Sequence, residues 1–206
     1  QYNSNGDLTI TNSTFSGNTT LGPNGGGLSA ARGNITISNS TFTGNSAAAD
    51  GGGISNSGPA IITLRSSTVA GNTAPTNPDV RGTFATESFN LIGINGTSSF
   101  VAGTPNTNSS QVGTTATPIN ALLGPLQNNG GPTQTHSLLT GSPAIDGGNS
   151  FGSFNDQRGP GFLRVLDLLV PNASGGDGAD IGAFELQSEP PPATVTISGV
   201  VRRPSG

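Results

Sequence analysis

The chain has 206 residues, of which only 9% are charged, and its formal net charge at pH 7 is −4. It contains no cysteine and no lysine, so the composition excludes disulfides and thiolate metal sites, and no basic stripe is present to bind nucleic acid. No apolar run approaches the length of a transmembrane segment, and because the chain starts with Gln1 we expect a piece of a longer polypeptide.

A repeat of 27 residues organises the first part of the chain. Residues 8–18 read LTITNSTFSGN, residues 35–45 read ITISNSTFTGN, and residues 62–72 read ITLRSSTVAGN. A fixed period in the twenties is typical of solenoids, in which one repeat cannot bury its apolar side alone and neighbours share a core. Alternation of Ile or Leu with Thr indicates strands with one buried face, and glycine triplets at 25–27 and 51–53 introduce a further strand.

The pattern predicts an all-β protein, a right-handed parallel β-helix of the pectate-lyase-like type, with three short strands in each coil. Equivalent residues of successive coils then stack as ladders along the axis. The expected ladders are Phe15, Phe42 and Val69, which are apolar, and Asn18, Asn45 and Asn72, which carry amides. Two interpretations of the asparagines remain open: each side chain bonds to the next, or each residue tolerates left-handed turn geometry.

Two short motifs of the repeats resemble a known family of surface proteins. FSGN at residues 15–18 and FTGN at residues 42–45, each followed by a glycine triplet, resemble the FxxN and GGA repeats of chlamydial polymorphic outer-membrane proteins. Proteins of that family present a right-handed β-helix at the cell surface. Here a third glycine replaces the alanine of the second motif, and Val69 replaces the phenylalanine in the third copy.

The second half of the chain resembles the bacterial choice-of-anchor Q domain family. The motifs are NLIG at 90–93, the run from Gln111 to Asn149, DQRG at 156–159 and DIGAFE at 180–185. Members of the family are exported β-helix proteins with a variable C-terminal anchoring signal. The resemblance therefore implies a bacterial protein located outside the cell or at its surface, and it supplies no catalytic residues.

We predict four segments in chain order. Residues 1–93 form the β-helix coils, residues 94–186 the final coil or coils and an irregular cap, and residues 187–193 a Pro-rich linker. Residues 194–206 form a lone strand, either the start of a truncated module or a donor strand that pairs with its own β-helix or with a neighbouring molecule. The residues expected to mediate self-association are Thr194, Val195, Thr196, Ile197, Val200 and Val201.

Three side chains are candidates for catalysis. His136 is the only histidine, and because the sequence indicates no partner for it as a general base, a structural role near the cap is favoured. Asp156 and Arg158 are suited to the active pair of a β-helix polysaccharide lyase. Alternatively, they form ion pairs that hold irregular segments against the coils, and the sequence favours this second interpretation.

Calcium is the one ion for which the sequence offers ligands. Asp167, Asp177 and Asp180 supply hard oxygen atoms close together in the chain. Their spacing is not that of an EF-hand, and we predict no metal or other cofactor, with Ca²⁺ as the weaker alternative.

The function predicted from these features is structural. Outward positions of the coils are Thr and Ser, whereas a groove that cleaves sugars needs acids, bases or aromatic platforms. We therefore expect a non-catalytic adhesin or scaffold that self-associates into filaments, end to end or by strand donation, or that binds a surface glycan or protein. The alternative is a polysaccharide lyase or hydrolase that acts on acidic glycans, and passive glycan binding is a third possibility.

Overall fold

The computed structural model describes residues 4–168 and 170–188. Within these ranges the protein consists of short β-strands, and no helix long and apolar enough to cross a membrane occurs there. The strands are β1 Asp7–Thr11, β2 Thr14–Ser16, β3 Thr19–Thr20, β4 Leu28–Ala30, β5 Asn34–Ser38, β6 Thr41–Thr43, β7 Ser46–Ala47, β8 Ile54–Asn56, β9 Ile61–Arg65, β10 Thr68–Val69, β11 Val80–Arg81, β12 Thr86–Ser88, β13 Leu91–Ile92, β14 Gln111–Val112, β15 Leu123–Gln127 and β16 Thr135–Leu138.

Three parallel sheets form the walls of the molecule. The first sheet contains β1, β5, β9 and β12 in that order, the second β2, β6, β10, β13 and β14, and the third β4, β8 and β11. Neighbouring strands in each sheet come from successive turns of the chain and pair in parallel. The predicted all-β parallel β-helix is therefore confirmed.

The core is built from stacked copies of equivalent residues. Phe15 pairs with Phe42, and the two rings are stacked with centroids 4.5 Å apart and planes inclined by 4°. Val69 continues this ladder above Phe42, and both side chains are fully buried. Burying each such side chain contributes about 1.5–3 kcal/mol, so every added coil stabilises the coil below it.

The coils become shorter along the chain, and this explains why the sequence period fades after the third copy. A serine or asparagine oxygen at one corner accepts a hydrogen bond from the backbone N–H of the previous coil, which gives a direct measure of coil length. The separation is 27 residues from Ser13 to Ser40 and from Ser40 to Ser67, then 23 to Asn90 and 20 to Ser110. The stack thus continues with shorter loops where the sequence repeat is no longer visible.

The glycine triplets mark a place where successive coils approach closely. A Cβ atom on Gly53 would lie 2.5 Å from the carbonyl oxygen of Asp79 and 2.7 Å from a methyl group of Val69. No side chain fits at that distance, so glycine is required by the contact between coils and not by the turn alone.

Residues 94–110 close the last coil. Gly103 and Val112 exchange backbone hydrogen bonds of 3.0 and 2.7 Å in an antiparallel bridge, which covers the outer edge of β14. The buried ring of Phe100 packs against Phe84 with centroids 4.8 Å apart. This segment closes the end of the stack, within the region for which we predicted the final coil or coils and an irregular cap.

The remainder of residues 94–186 extends beyond this closure. Residues 140–168 and 170–188, here called the C-terminal wrap, run along the side of the coils. The side-chain amide of Asn12 in the first coil donates to the backbone carbonyl of Asn155 at 2.9 Å. The hydroxyl of Ser66 in the third coil donates to the backbone carbonyl of Asn149 at 2.7 Å. The wrap therefore joins the first coil to the third, because corner side chains of each coil supply hydrogen bonds to it.

The wrap covers the outer face of the second sheet. Thr14 donates to the side-chain oxygen of Gln157 at 2.6 Å, and Thr68 donates to the carbonyl of Ile181 at 3.1 Å. A second apolar core fills the space between sheet and wrap, and its buried members are Ala70, Leu91, Ala121, Leu138, Ala144, Ile145, Ile181 and Phe184. The second sheet is thus buried on both faces, whereas the wrap leaves the first sheet uncovered over much of its outer face.

Candidate functional site

A ladder of side-chain amides runs through the first three coils. Asn18 donates to the side-chain oxygen of Asn45, and Asn45 donates to that of Asn72, both at 2.9 Å. The left-handed conformation belongs to the glycine before each asparagine, as at Gly44 with φ of 66°. Of the two interpretations left open by the sequence, the structure contains the amide ladder.

A buried carboxylate ends this ladder. Asp79 accepts hydrogen bonds of 2.9 Å from the backbone and the side chain of Asn72, and its second oxygen accepts one of 2.9 Å from the backbone of Ile94. Burial raises the pKa of Asp79 to about 6, and the hydrogen bonds from Asn72 and Ile94 act in the opposite direction. The sequence did not reveal this role, because Asp79 follows Asn72 by only 7 residues and so falls outside the repeat.

A cleft of about 390 Å³ lies beside Asp79, between a corner of the second sheet and residues 118–123. Ala70, Ile94, Ile119 and Leu123 contribute apolar surface to it. Both oxygens of Asp79 already accept hydrogen bonds from the chain, so the carboxylate serves the fold at the floor of this cleft.

Asp156 and Arg158 form a buried ion pair in the wrap. One oxygen of Asp156 accepts hydrogen bonds of 2.9 and 2.7 Å from the guanidinium of Arg158 and one of 2.8 Å from the backbone of Glu185. The guanidinium lies between the rings of Phe162 and Phe184, 4.0 and 3.9 Å from their centroids. This pair joins two irregular segments of the chain, and its polar atoms and rings are already engaged in doing so.

A second buried pair links the wrap to the first coil. The guanidinium of Arg164 lies 3.7 Å from the carboxylate of Glu185 and donates at 2.9 Å both to the carbonyl of Gly182 and to the side-chain oxygen of Asn12. Burial and the nearby carboxylate of Asp180 raise the pKa of Glu185, and the positive charge of Arg164 opposes that rise. Arg164 therefore holds one turn of the wrap closed while it binds the corner of the first coil.

The three aspartates considered for calcium do not converge. Asp177 accepts hydrogen bonds from the backbone and hydroxyl of Ser150, whereas Asp180 accepts them from the backbones of Asp146 and Leu186 at 2.8 and 2.6 Å. Burial raises the pKa of Asp180 to about 7. In the described ranges, no three acidic or histidine side chains, Asp167 included, are grouped so that they could hold a metal ion.

His136 has two hydrogen-bond partners that the sequence did not indicate. Its Nε2 atom lies 2.9 Å from the hydroxyl of Ser16, and its Nδ1 atom lies 2.7 Å from the carbonyl oxygen of Gly124. Because a carbonyl only accepts, Nδ1 carries a proton, and in the neutral imidazole Nε2 then accepts from the hydroxyl of Ser16. A serine–histidine pair of this kind also occurs in hydrolases, and here it connects the β15–β16 hairpin to the first coil.

The outer face of the first sheet carries columns of hydroxyl groups. Thr9, Thr36 and Thr63 occupy equivalent positions on β1, β5 and β9. In the neighbouring column Thr11 and Ser38 share a hydrogen bond of 3.2 Å, but Arg65 takes the next position. Its guanidinium lies 5.0 Å above the ring of Phe151 in the wrap, so this column ends against the edge of the wrap.

Comparison of the chain with protein-family models, with curated proteins and with solved structures finds no match in any of the three. The resemblance to the choice-of-anchor Q family and the right-handed sense of the β-helix therefore stay predictions. The predicted donor strand over residues 194–201 and most of the linker at 187–193 lie outside the described residues.

Proposed function

We propose that the protein is a non-catalytic structural β-helix that acts outside the cell or at the cell surface as a scaffold or adhesin. One observation carries this proposal: four buried carboxylates suited to acid–base chemistry already accept hydrogen bonds from the backbone. Asp79, Asp156, Asp180 and Glu185 each accept at least one such bond. A side chain used in this way holds the fold together and is a poor base for a substrate.

The distribution of surfaces supports the same function. The wrap covers the second sheet, and the first sheet presents threonine and serine hydroxyls in regular columns. A stiff stack with a polar, weakly charged face suits a protein that displays a surface rather than one that encloses a reaction.

Self-association is part of the proposal, and the strand edges suggest its form. β1 and β2 are the first described strands of their sheets, and Leu8, Ile10 and Phe15 within them are only partly buried. At the other end of the stack, Gly103 covers the edge of β14. Pairing between copies, end to end or by donation of the strand predicted at 194–206, is the proposed form of self-association.

An assay for turnover tests the proposed function. The purified protein is incubated with polygalacturonate and alginate, with and without Ca²⁺, and unsaturated products and new reducing ends are measured. We expect none, and we expect no labelling of Ser16 by a fluorophosphonate probe. Antibody labelling of intact source cells tests the location. Product formation that Asp156→Asn abolishes, with the fold retained, would establish the lyase alternative.

A further inference from the structure

Arg65 forms no ion pair with a carboxylate of the described residues. Of the five arginines in the described ranges, three pair with carboxylates: Arg81 with Asp50, and two in the wrap. Arg32 is exposed to solvent, whereas Arg65 is partly buried. The Nε atom of Arg65 is shielded from solvent and has no hydrogen-bond partner among the described residues. One N–H group of this cation is therefore buried without an acceptor, which is costly for the fold unless a partner supplies one.

The surroundings of Arg65 hold its guanidinium in place. Its face packs on Phe151, and the ring of Phe151 packs edge-on against Phe89 at 6.1 Å. Strand pairing places Ser38 and Ser88 on either side of Arg65 in the same outward column. The cation is therefore held against an aromatic ring, and its residue stands between two serines in the column, which lowers the entropy cost of binding an anion.

Hydroxyls and an exposed ring extend this position into a strip. The column runs from Thr11 through Ser38 and Arg65 to Ser88, which is three strand spacings or about 14 Å. Phe154 is 76% exposed and precedes Asn155 in the wrap. Asn12, the residue after Thr11, donates a hydrogen bond to the carbonyl of Asn155, and this contact links the wrap to the Thr11 end of the column. The strip thus combines hydroxyl donors, one positive charge and an aromatic surface.

We propose that this strip binds an acidic oligosaccharide, with a sugar carboxylate on Arg65. The proposal rests on the adhesin function and names its partner. Sugar hydroxyls bond to Thr11, Ser38 and Ser88, and a sugar ring packs on Phe154. The charge of Arg65 selects a uronate over its neutral ester, because only the carboxylate provides the ion pair that the guanidinium lacks.

Binding measurements with matched polymers test the strip. Immobilised polygalacturonate is compared with fully methyl-esterified pectin, which has the same backbone without the charge. We expect Arg65→Gln to weaken binding to polygalacturonate about tenfold or more, and Phe154→Ala to weaken it about three- to tenfold. Arg32→Gln removes the same charge from an exposed position and is expected to change binding less than twofold. Native binding is expected to fall as salt is raised.

The possible outcomes distinguish a failure of oligosaccharide binding at the strip from a failure of the proposed non-catalytic function. Three outcomes would each overturn the proposed binding at the strip. They are equal binding of native protein and Arg65→Gln, equal binding of the acid and the ester, and no binding of polygalacturonate and alginate by the native protein. Thermal unfolding of each variant shows whether a loss of binding reflects a loss of fold, and Arg65→Lys, which keeps the charge, is expected to retain part of the affinity. Cleavage of the polymer would instead overturn the non-catalytic function.

Discussion

The first three coils and the C-terminal wrap provide partners for their buried polar groups in different ways. In the coils, neutral groups partner with copies of themselves, as Asn18 does with Asn45 and Phe15 with Phe42. The wrap has no copy of itself to pair with, and buried charges such as Arg164 and Glu185 hold it instead. Repetition therefore satisfies polar groups with neutral side chains, whereas an irregular segment needs groups that bind several backbone atoms at once.

The difference also decides which surface is available. The wrap joins the coils through one face and leaves the first sheet with its hydroxyl columns exposed. The surface left accessible is therefore that of the repeated part and of the border of the wrap, where Arg65 contacts Phe151.

The largest expected effect comes from breaking the charged support of the wrap. Arg164→Ala leaves the buried Glu185 without its cation and removes the bond to Asn12. We expect the free energy of unfolding to fall by roughly 5 kcal/mol in denaturant titrations. Arg81→Ala breaks the partly exposed pair with Asp50 and serves as the control, with an expected loss of about 0–1 kcal/mol. Equal losses would show that the wrap does not depend on buried charge.

A cavity in the stacked core is expected to cost somewhat less. Phe42→Ala removes a fully buried ring that stacks on Phe15 and supports Val69, and we expect a loss of about 3–4 kcal/mol. Phe154→Ala removes a ring that is 76% exposed, and the same denaturant titration is expected to show a change below about 0.5 kcal/mol. A small effect at Phe42 would contradict the stacking of coils as the source of stability.

The end of the amide ladder is expected to make stability depend on pH. The pKa of Asp79 is raised from 3.8 to about 6 by burial, so the folded state holds this proton more tightly than the unfolded state. Stability from this group is fully present below pH 3.8 and is lost as the pH rises through about 6, a change of about 3 kcal/mol. Chemical unfolding from pH 3.5 to 8 measures it. Asp79→Asn is expected to remove this part of the pH dependence, whereas Asp180, whose pKa is raised to about 7, continues to contribute its own.

The smallest expected effect comes from interrupting the ladder within the coils. Asn45→Ala leaves the amide of Asn18, the carbonyl of Phe15 and the side-chain oxygen of Asn72 without this partner. We expect a loss of about 1–3 kcal/mol. Asn18→Ala removes the exposed first member of the ladder and is expected to cost less than half as much. If both substitutions cost the same, burial of the ladder does not contribute to its strength.

The sequence alone determined the repeated part of the protein. The fixed period predicts which residues stack, because in a solenoid each residue contacts its equivalent one coil away, and the spacing of Phe15, Phe42 and Val69 is visible without coordinates. Strand alternation likewise predicts that Ile35 and Ile37 face the core, where both are buried.

Only the tertiary structure decided the position of the wrap, the partners of His136, the role of Asp79 and the surroundings of Arg65. Arg164 binds Asn12 across 152 residues, and His136 binds Ser16 across 120. Such contacts follow no period, because they depend on the path of the chain back along the stack. Local pattern reports which face of a strand is buried, and long-range packing decides what covers it.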